Sequence, residues 1–232
     1  MANISFVLPV GGGGGGAHSV VQEVNAMRDM GIEARVLVNQ RNAEGFRSTY
    51  ARFPWVEEGG MGVFEGPKDL ATLAADADVV VATTNTSVHS IAAAIKSTRG
   101  LRFRTGYYVQ DYEPLFYSAG STEHSLAIAS FAALRDCQYF AKTQWLTGMV
   151  QAAHGHPAAL VVPSIDHGIY RPTRRPPGAL RLVAAMVRPA TPRRAARRAA
   201  PCACWRVSPR GSSVRSQSSP SAPRRRNWTA SA

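Results

Sequence analysis

Six consecutive glycines, Gly11 to Gly16, follow a short apolar segment and precede His18. Glycine readily adopts positive φ angles and lets a ligand approach the backbone closely. The residues after the glycines have helical spacing, and the first amides of a helix attract anions such as phosphate. Substrate contacts are therefore predicted for Gly13, Gly14, Gly15, Gly16 and His18. The dinucleotide fingerprint is matched only because every position is glycine, so a connection that binds no ligand stays open as an alternative.

A second group of residues combines two carboxylates, Asp111 and Glu113, with neighbouring aromatic rings. Carboxylates accept hydrogen bonds from hydroxyl groups, and aromatic rings pack against the apolar faces of sugars. This combination favours a sugar pocket, with aromatic walls from Tyr107, Tyr108, Tyr112, Phe116 and Tyr117. The alternative is that Asp111 caps a turn before Pro114 while the tyrosines pack in the core.

Apolar segments alternate with segments of helical spacing along the first 168 residues. The clearest apolar segment is Asp78 to Thr84, a β-branched run typical of a strand covered on both faces. The alternation predicts one α/β domain with a mostly parallel sheet. Residues 39–44 are predicted to form a loop, residues 46–56 fit no regular element, and Asn85 or Thr86 is predicted to cap the following helix.

Three stretches are predicted to follow the carboxyl ends of strands: the glycines, residues 83–86 and residues 110–113. Ligands of open α/β sheets bind at that edge of the sheet. Substrate contacts are therefore also predicted for Thr84, Asn85, Gln110 and Tyr112.

The composition argues against several classes of protein. No stretch of 18 apolar residues is present, and the N-terminus lacks the basic region of a secretory signal. The three cysteines, Cys137, Cys202 and Cys204, have no histidine at metal-ligand spacing and form no disulfide framework. A cytoplasmic protein without a metal cofactor is expected.

The formal net charge of +12 is distributed unevenly. Residues 1–170 contain 12 basic and 15 acidic side chains, which gives a net charge of −3. Residues 171–232 contain 15 arginines and no acidic residue. Residues 195–232 also contain no Leu, Ile, Phe, Met or Tyr, so this Arg-, Ser- and Pro-rich tail is predicted to bury no core and to be disordered.

The segment from Tyr108 to Tyr117, with the sequence YVQDYEPLFY, resembles bacterial family-4-type glycosyltransferases. The resemblance is to the rhamnosyltransferase-like branch, which acts in surface polysaccharide synthesis. The glycines running into His18, residues 162–172 and residues 182–194 are similar to other parts of the same family. The resemblance extends over about residues 3–194.

The resemblance implies a two-domain GT-B enzyme. Its N-terminal, Rossmann-like domain would comprise residues 1–168 and hold a glycan acceptor, and the second domain would hold a nucleotide-sugar such as dTDP-rhamnose. Transfer would retain the configuration at the anomeric carbon, and the enzyme would associate with the inner face of the membrane. The implied catalytic residues are Asp111 and Glu113, whereas Arg188 and Arg193 would contact the donor phosphates.

The family pattern breaks after Arg194, so residues 169–194 would form a linker and the first strand of a truncated second domain. A change of reading frame near residue 195 would explain the break, because a GC-rich gene read out of frame yields Arg, Pro, Ser, Ala, Cys and Trp. This polypeptide is then expected not to transfer sugar by itself, and no specific nucleic-acid partner is expected.

Two other functions stay open. The Arg-rich tail is typical of a nucleic-acid-binding arm, since arginine clusters attract phosphate. A Rossmann oxidoreductase or epimerase is the other alternative, although Asn39 stands where the acidic partner of a ribose hydroxyl is expected.

Overall fold

The computed structural model describes residues 2–167 and 169–172, and the backbone of three short strands further along the chain. Residues 1–170 and 171–232 form separate compact units. The first unit has seven strands: β1 (Asn3–Val7), β2 (Glu33–Asn39), β3 (Met61–Phe64), β4 (Val79–Ala82), β5 (Arg104–Val109), β6 (Gln138–Ala141) and β7 (Ala158–Leu160). Its α-helices are α1 (Gly15–Asp29), α2 (Gln40–Tyr50), α3 (Pro67–Ala74), α4 (Asn85–Ser97), α5 (Thr122–Ala129) and α6 (Gln144–His154).

The seven strands form one parallel sheet in the order β3-β2-β1-β4-β5-β6-β7. Strands and helices alternate along the chain, and the buried apolar residues form two clusters. Apolar β-branched strands suit such a sheet because both of its faces are covered. The predicted α/β class with a mostly parallel, Rossmann-like sheet is confirmed.

The direction of strand addition reverses at β1, which pairs with β2 on one side and with β4 on the other. Val7, at the carboxyl end of β1, lies opposite Leu37 in β2 and opposite Ala82 in β4. The loops after these strands therefore start at the same edge of the sheet. In open α/β sheets, this reversal of strand order creates the crevice in which ligands bind.

The helix α2 corrects the predicted loop at residues 39–44 and occupies much of the unassigned segment. The Asn39 side chain accepts a hydrogen bond from the Arg41 amide at 3.2 Å and so caps the helix. Ala43, Phe46 and Tyr50 are buried at helical spacing. A short 3₁₀-helix, Pro54–Val56, completes the segment.

The predicted helix cap after β4 is wrong by one residue. Thr84, and not Asn85 or Thr86, is the N-cap of α4, and its side chain accepts a hydrogen bond from the Ser87 amide at 3.2 Å. The cap also places Asn85 in the first turn of the helix, where its backbone N–H has no partner within the helix and donates to the Glu113 carboxylate at 3.1 Å.

The second unit contains three described strands, Leu182–Ala185 (β8), Ala203–Arg206 (β9) and Arg215–Gln217 (β10). They pair antiparallel in the order β10-β9-β8. The first lies within residues 169–194, the range predicted to contain a linker and one strand. The other two lie in the tail predicted to be disordered, where backbone groups can pair across strands whatever their side chains.

No helix in the described part of the chain is long and apolar enough to cross a membrane.

The Ser87 side chain fixes the turn between β4 and α4. Its hydroxyl is fully buried, accepts hydrogen bonds from the Thr83 amide at 2.8 Å and the Thr84 amide at 2.9 Å, and donates one to the Thr84 carbonyl at 2.8 Å. Ser87→Ala leaves two amides without this partner. We expect the free energy of unfolding to fall by about 2 kcal/mol in denaturant titrations.

Ser90→Ala is the matched control in the same helix, because the Ser90 hydroxyl only donates to the carbonyl of Thr86, one turn earlier. We expect a change within about 0.5 kcal/mol for this variant. Equal losses in the two variants would contradict the assigned role of Ser87.

Candidate functional site

Three loops meet at the carboxyl edge of the central strands. The glycine loop, residues 10–14, follows β1 and leads into α1, residues 83–84 join β4 to α4, and residues 110–117 follow β5. Five of the nine predicted substrate-binding residues lie in these loops, and the other four lie in the first turns of α1 and α4. The parallel register of β1, β4 and β5 brings them together.

The glycine loop has two positions that require glycine. Gly12 and Gly13 have φ angles of +93° and +78°, which other residues rarely adopt. A Cβ atom on Gly12 would also lie 2.8 Å from the Cε2 atom of Tyr50 in α2. The turn and the packing of α2 against it therefore depend on the missing side chain.

The next glycines leave open space above the backbone. A Cβ atom on Gly13, Gly14 or Gly15 would meet no atom within 4 Å. Gly14 is the N-cap of α1 and provides no side chain for the first amides of the helix. These amides carry the positive end of the helix dipole, so this surface can accept an anion or a hydroxyl oxygen.

Helix α2 forms the outer wall of the glycine loop. The Asn42 side-chain amide donates to the Pro9 carbonyl at 2.9 Å, and the Thr49 hydroxyl lies 3.5 Å from the Gly11 carbonyl. The sequence prediction placed a loop at the start of this helix. The spacing of Ala43, Phe46 and Tyr50 after a capping asparagine is the pattern that would have indicated α2.

A cavity of about 500 Å³ lies between this wall and the start of α1. Its lining consists of Gly13, Gly14, Gly15, His18, Thr49, Tyr50, Arg52, Ile169 and Tyr170. The His18 ring stacks near the Tyr50 ring, with centroids 6.4 Å apart. Arg52 supplies a positive charge and lies 3.7 Å from the Asp166 carboxylate. The lining of the cavity thus combines hydroxyl, imidazole and guanidinium groups with glycine backbone that no side chain covers.

Tyr50 places a buried hydroxyl next to the glycine loop. Burial raises the pKa of this phenol, and the Gly13 amide partly opposes the rise. The hydroxyl forms no hydrogen bond of good geometry with a described residue. It stays protonated at neutral pH, and its oxygen is shielded from solvent.

Gln110 is buried beneath the start of α1. Its Nε2 atom lies 3.5 Å from the Thr83 carbonyl, and its Oε1 atom would lie 3.3 Å from a Cβ atom on Gly16. The Oε1 atom accepts no hydrogen bond from a described residue. The predicted substrate-binding residues Gly16 and Gln110 are thus neighbours, and an acceptor atom is available between the loops after β1 and β5.

Glu113 links the loop after β5 to the start of α4. Its carboxylate accepts a hydrogen bond from the Asn85 amide at 3.1 Å and another from the Asn85 side chain. Burial raises the pKa of Glu113 to about 7, the two Asn85 hydrogen bonds oppose the rise, and the Asp111 charge adds to it. Near pH 7 the protonated and ionised forms of this carboxyl group are therefore present in comparable amounts, so that it can donate or accept a proton.

Asp111 is exposed, and its Oδ1 atom accepts a hydrogen bond from the Tyr112 amide at 2.9 Å. This contact reaches only the next residue and does not cap the 3₁₀-helix Glu113–Phe116 that follows. The other carboxylate oxygen has no hydrogen-bond partner among the described residues, so Asp111 can still accept a hydrogen bond from a hydroxyl group.

The predicted aromatic walls need correction. Tyr107, Tyr108 and Tyr112 are buried core residues, with at most 7% of their surface exposed. The Tyr112 hydroxyl lies 3.0 Å from the Nε2 atom of His154, so this ring anchors the loop that carries the two carboxylates. β-Branched and aromatic strand residues pack readily between sheet and helix, and this packing takes the three rings away from a ligand.

Arg188 and Arg193, the predicted donor-phosphate contacts, lie outside the described residues. Among the residues that the structure describes, no group of three or more His, Cys, Asp or Glu side chains could hold a metal ion.

No protein-family model matches the chain. The O-antigen biosynthesis protein RfbC of Myxococcus xanthus is 38% identical over 119 residues, which are 51% of this chain and 8% of RfbC. The chain thus spans a small part of that curated relative.

Two solved structures of Anabaena HepE have a similar fold. One is a complex with UDP and glucose (TM-score 0.53) and the other a complex with UDP-glucose (TM-score 0.55). Each is 18% identical, and the likeness covers 73% of this chain and 46% of the HepE chain. The fold of the first unit is therefore glycosyltransferase-like.

The raised pKa of Glu113 predicts a pH-dependent loss of stability. The folded state favours the protonated carboxyl, so the contribution of Glu113 is most favourable below pH 4.5 and becomes unfavourable as the pH rises to about 7. We expect the free energy of unfolding of the wild type to fall by about 2–3 kcal/mol across this interval, relative to Glu113→Gln. Denaturant titrations at pH 4.5, 6 and 8 measure the difference.

Glu123→Gln, which replaces an exposed carboxylate in α5, is the control and is expected to keep the pH dependence of the wild type. Parallel curves for the wild type and Glu113→Gln would contradict the raised pKa.

Proposed function

We propose that this chain is the acceptor-side part of a glycosyltransferase that uses a nucleotide-sugar donor in surface polysaccharide synthesis. The observation that carries the proposal is the carboxyl edge of the sheet. There, open glycine backbone, uncapped helix amides, a buried glutamine acceptor and two carboxylates lie on three adjacent loops. The fold shared with HepE and the sequence similarity to RfbC support it.

In this proposal, the acceptor glycan lies over Gly13 to Gly15. Sugar hydroxyls donate to Asp111 and to the Oε1 atom of Gln110, and they accept from the first amides of α1. The side chains of Tyr50 and His18 lie along the cavity wall and offer further polar contacts. Asn85 and Thr84 hold the adjacent loop, and Glu113 fixes its position relative to Asp111.

The chemistry is transfer of a glycosyl group from a nucleoside diphosphate to an acceptor hydroxyl. The anomeric C–O bond to the diphosphate breaks, a C–O bond to the acceptor forms, and the acceptor proton leaves with a base or with the departing phosphate. The configuration of the donor sugar, with rhamnose from dTDP-rhamnose as our candidate, is retained. The main requirement is stabilisation of the leaving diphosphate, which Arg188 and Arg193 are proposed to supply, without a metal ion.

This polypeptide is proposed not to transfer sugar by itself. Residues 195–232 contain no Leu, Ile, Phe, Met or Tyr from which a donor domain would be built, and a changed reading frame after Arg194 explains that composition. A cytoplasmic enzyme at the inner face of the membrane is part of the same proposal and rests on the sequence.

A dinucleotide-dependent oxidoreductase or epimerase is less well supported. The residue that ends β2 is Asn39, and its side chain is occupied in capping α2. A carboxylate at this position would normally bind the ribose hydroxyls of the dinucleotide.

The test restores the reading frame after residue 194 and measures sugar release and transfer from UDP-glucose and dTDP-rhamnose. We expect turnover by the restored enzyme and none by the 232-residue chain. Asp111→Asn is expected to lower kcat/KM at least 100-fold, because the negative charge that strengthens the hydrogen bond from the reacting sugar is lost.

Glu33→Gln is the matched control, since Glu33 is an exposed carboxylate at the amino end of β2. It should leave turnover unchanged. Absence of turnover of both donors by the folded, restored enzyme would contradict the proposed activity. Unchanged turnover in Asp111→Asn would remove only the role of Asp111.

A further inference from the structure

A second and larger cavity, of about 840 Å³, lies at the opposite edge of the sheet from the glycine loop. Arg104 and Gln138, the first residues of β5 and β6, are part of its lining, together with the last turns of α4. We call it the amino-edge cavity. Its volume lies in the range of small-molecule sites.

The amino-edge cavity has an apolar surface that the fold leaves uncovered. Ile95 is 41% exposed although it belongs to a helix that packs on the sheet. Leu101 and Phe103 are only partly buried against the core. An apolar surface of this kind gains free energy when an apolar group covers it.

Three positive charges surround this apolar surface. Lys96, Arg104 and Arg135 are exposed, and none of them forms an ion pair with another described residue. Asp136 is the only carboxylate among the lining residues, so the lining carries a net charge of +2 (three cations and one anion). Residues 1–170 as a whole carry −3, so the composition of the unit does not account for this concentration of positive charge.

Each part of the cavity taken alone has an ordinary structural explanation. Lys96 lies in the last turn of α4, where a cation interacts favourably with the helix dipole. That interaction does not involve Arg104 or Arg135, which come from β5 and from the loop before β6. The helix dipole therefore does not explain why cations from three segments lie around one apolar cavity, whereas an anionic ligand would explain it.

We propose that the amino-edge cavity binds an anionic amphiphile, a molecule that joins a phosphate or carboxylate to an apolar group. The anionic group pairs with Arg104 and Arg135, for which guanidinium forks are well suited. The apolar group covers Ile95, Leu101 and Phe103. A simple anion would leave the apolar surface in water, and a neutral hydrocarbon would leave the cations without a partner. This inference does not depend on the proposed glycosyltransferase activity.

The test uses hexyl phosphate as a monomeric probe and isothermal titration calorimetry of the full chain. We expect one saturable site, with affinity at least tenfold higher than for inorganic phosphate or hexanol. Inorganic phosphate also measures the background from the arginines of residues 171–232. The double variant Arg104→Gln/Arg135→Gln should weaken hexyl phosphate binding at least tenfold.

The matched control is Arg41→Gln/Lys68→Gln, which removes two exposed cations near the carboxyl edge and gives the same change in net charge. It should bind hexyl phosphate like the wild type. A second variant, Ala92→Phe, fills the cavity without changing charge and should also lose binding. Equal affinity in the two double variants, or for hexyl phosphate and inorganic phosphate, would overturn the proposal. Thermal melts show whether Ala92→Phe folds. If it does not fold, the comparison of Arg104→Gln/Arg135→Gln with the control pair decides the outcome.

The source of the amphiphile is distinguished by co-sedimentation with vesicles of phosphatidylcholine that contain or lack phosphatidylglycerol. For a bilayer lipid, Arg104→Gln/Arg135→Gln lowers the fraction bound to anionic vesicles relative to the control pair. For a soluble amphiphile, the two double variants bind the vesicles equally, while their affinities for hexyl phosphate still differ.

Discussion

The turn after β1 is the constraint on which the candidate site depends. The chain must leave the central strand, adopt positive φ angles at Gly12 and Gly13, and begin α1 within a few residues. Helix α2 packs so closely on this turn that a side chain on Gly12 would meet Tyr50. The same packing creates the cavity beside the turn and leaves the next glycines open. One backbone conformation thus supplies both the rigidity and the accessibility that a binding site requires.

The site gains its precision from polar contacts between loops that are distant in the sequence. Thr83 donates from its hydroxyl to the Val7 carbonyl at 2.7 Å and so joins the loops after β4 and β1. Glu113 joins the loop after β5 to the first turn of α4. The parallel sheet brings these loops to one edge, and the contacts then fix their relative positions. Because Glu113 is largely removed from water, its pKa is raised to about 7, and we expect its contacts to change with pH near neutrality.

The sequence predicted the features that rest on local patterns. The β-branched run before Thr84 and the alternation of strands and helices predicted the parallel sheet. Helix α2 was missed because its first residues, Gln40, Arg41 and Asn42, are polar. The helical spacing of its apolar residues is recognisable only once Asn39 is taken as the residue that caps the helix. The burial of Tyr107, Tyr108 and Tyr112 was left open because a tyrosine suits both a core and a sugar pocket, and only tertiary packing decides between them. The roles of Asp111 and Glu113 in catalysis stay predictions.

The most direct test of this account compares the free energies of unfolding of Gly12→Ala and Gly15→Ala. Both add one methyl group to the glycine run. At Gly12 the methyl group meets Tyr50 and the φ angle is positive, whereas at Gly15 it meets open space at the start of a helix. We predict a loss of about 2 kcal/mol for Gly12→Ala and a change within about 0.5 kcal/mol for Gly15→Ala. Equal losses, or an unchanged stability of Gly12→Ala, would contradict the claim that the turn against α2 organises the site.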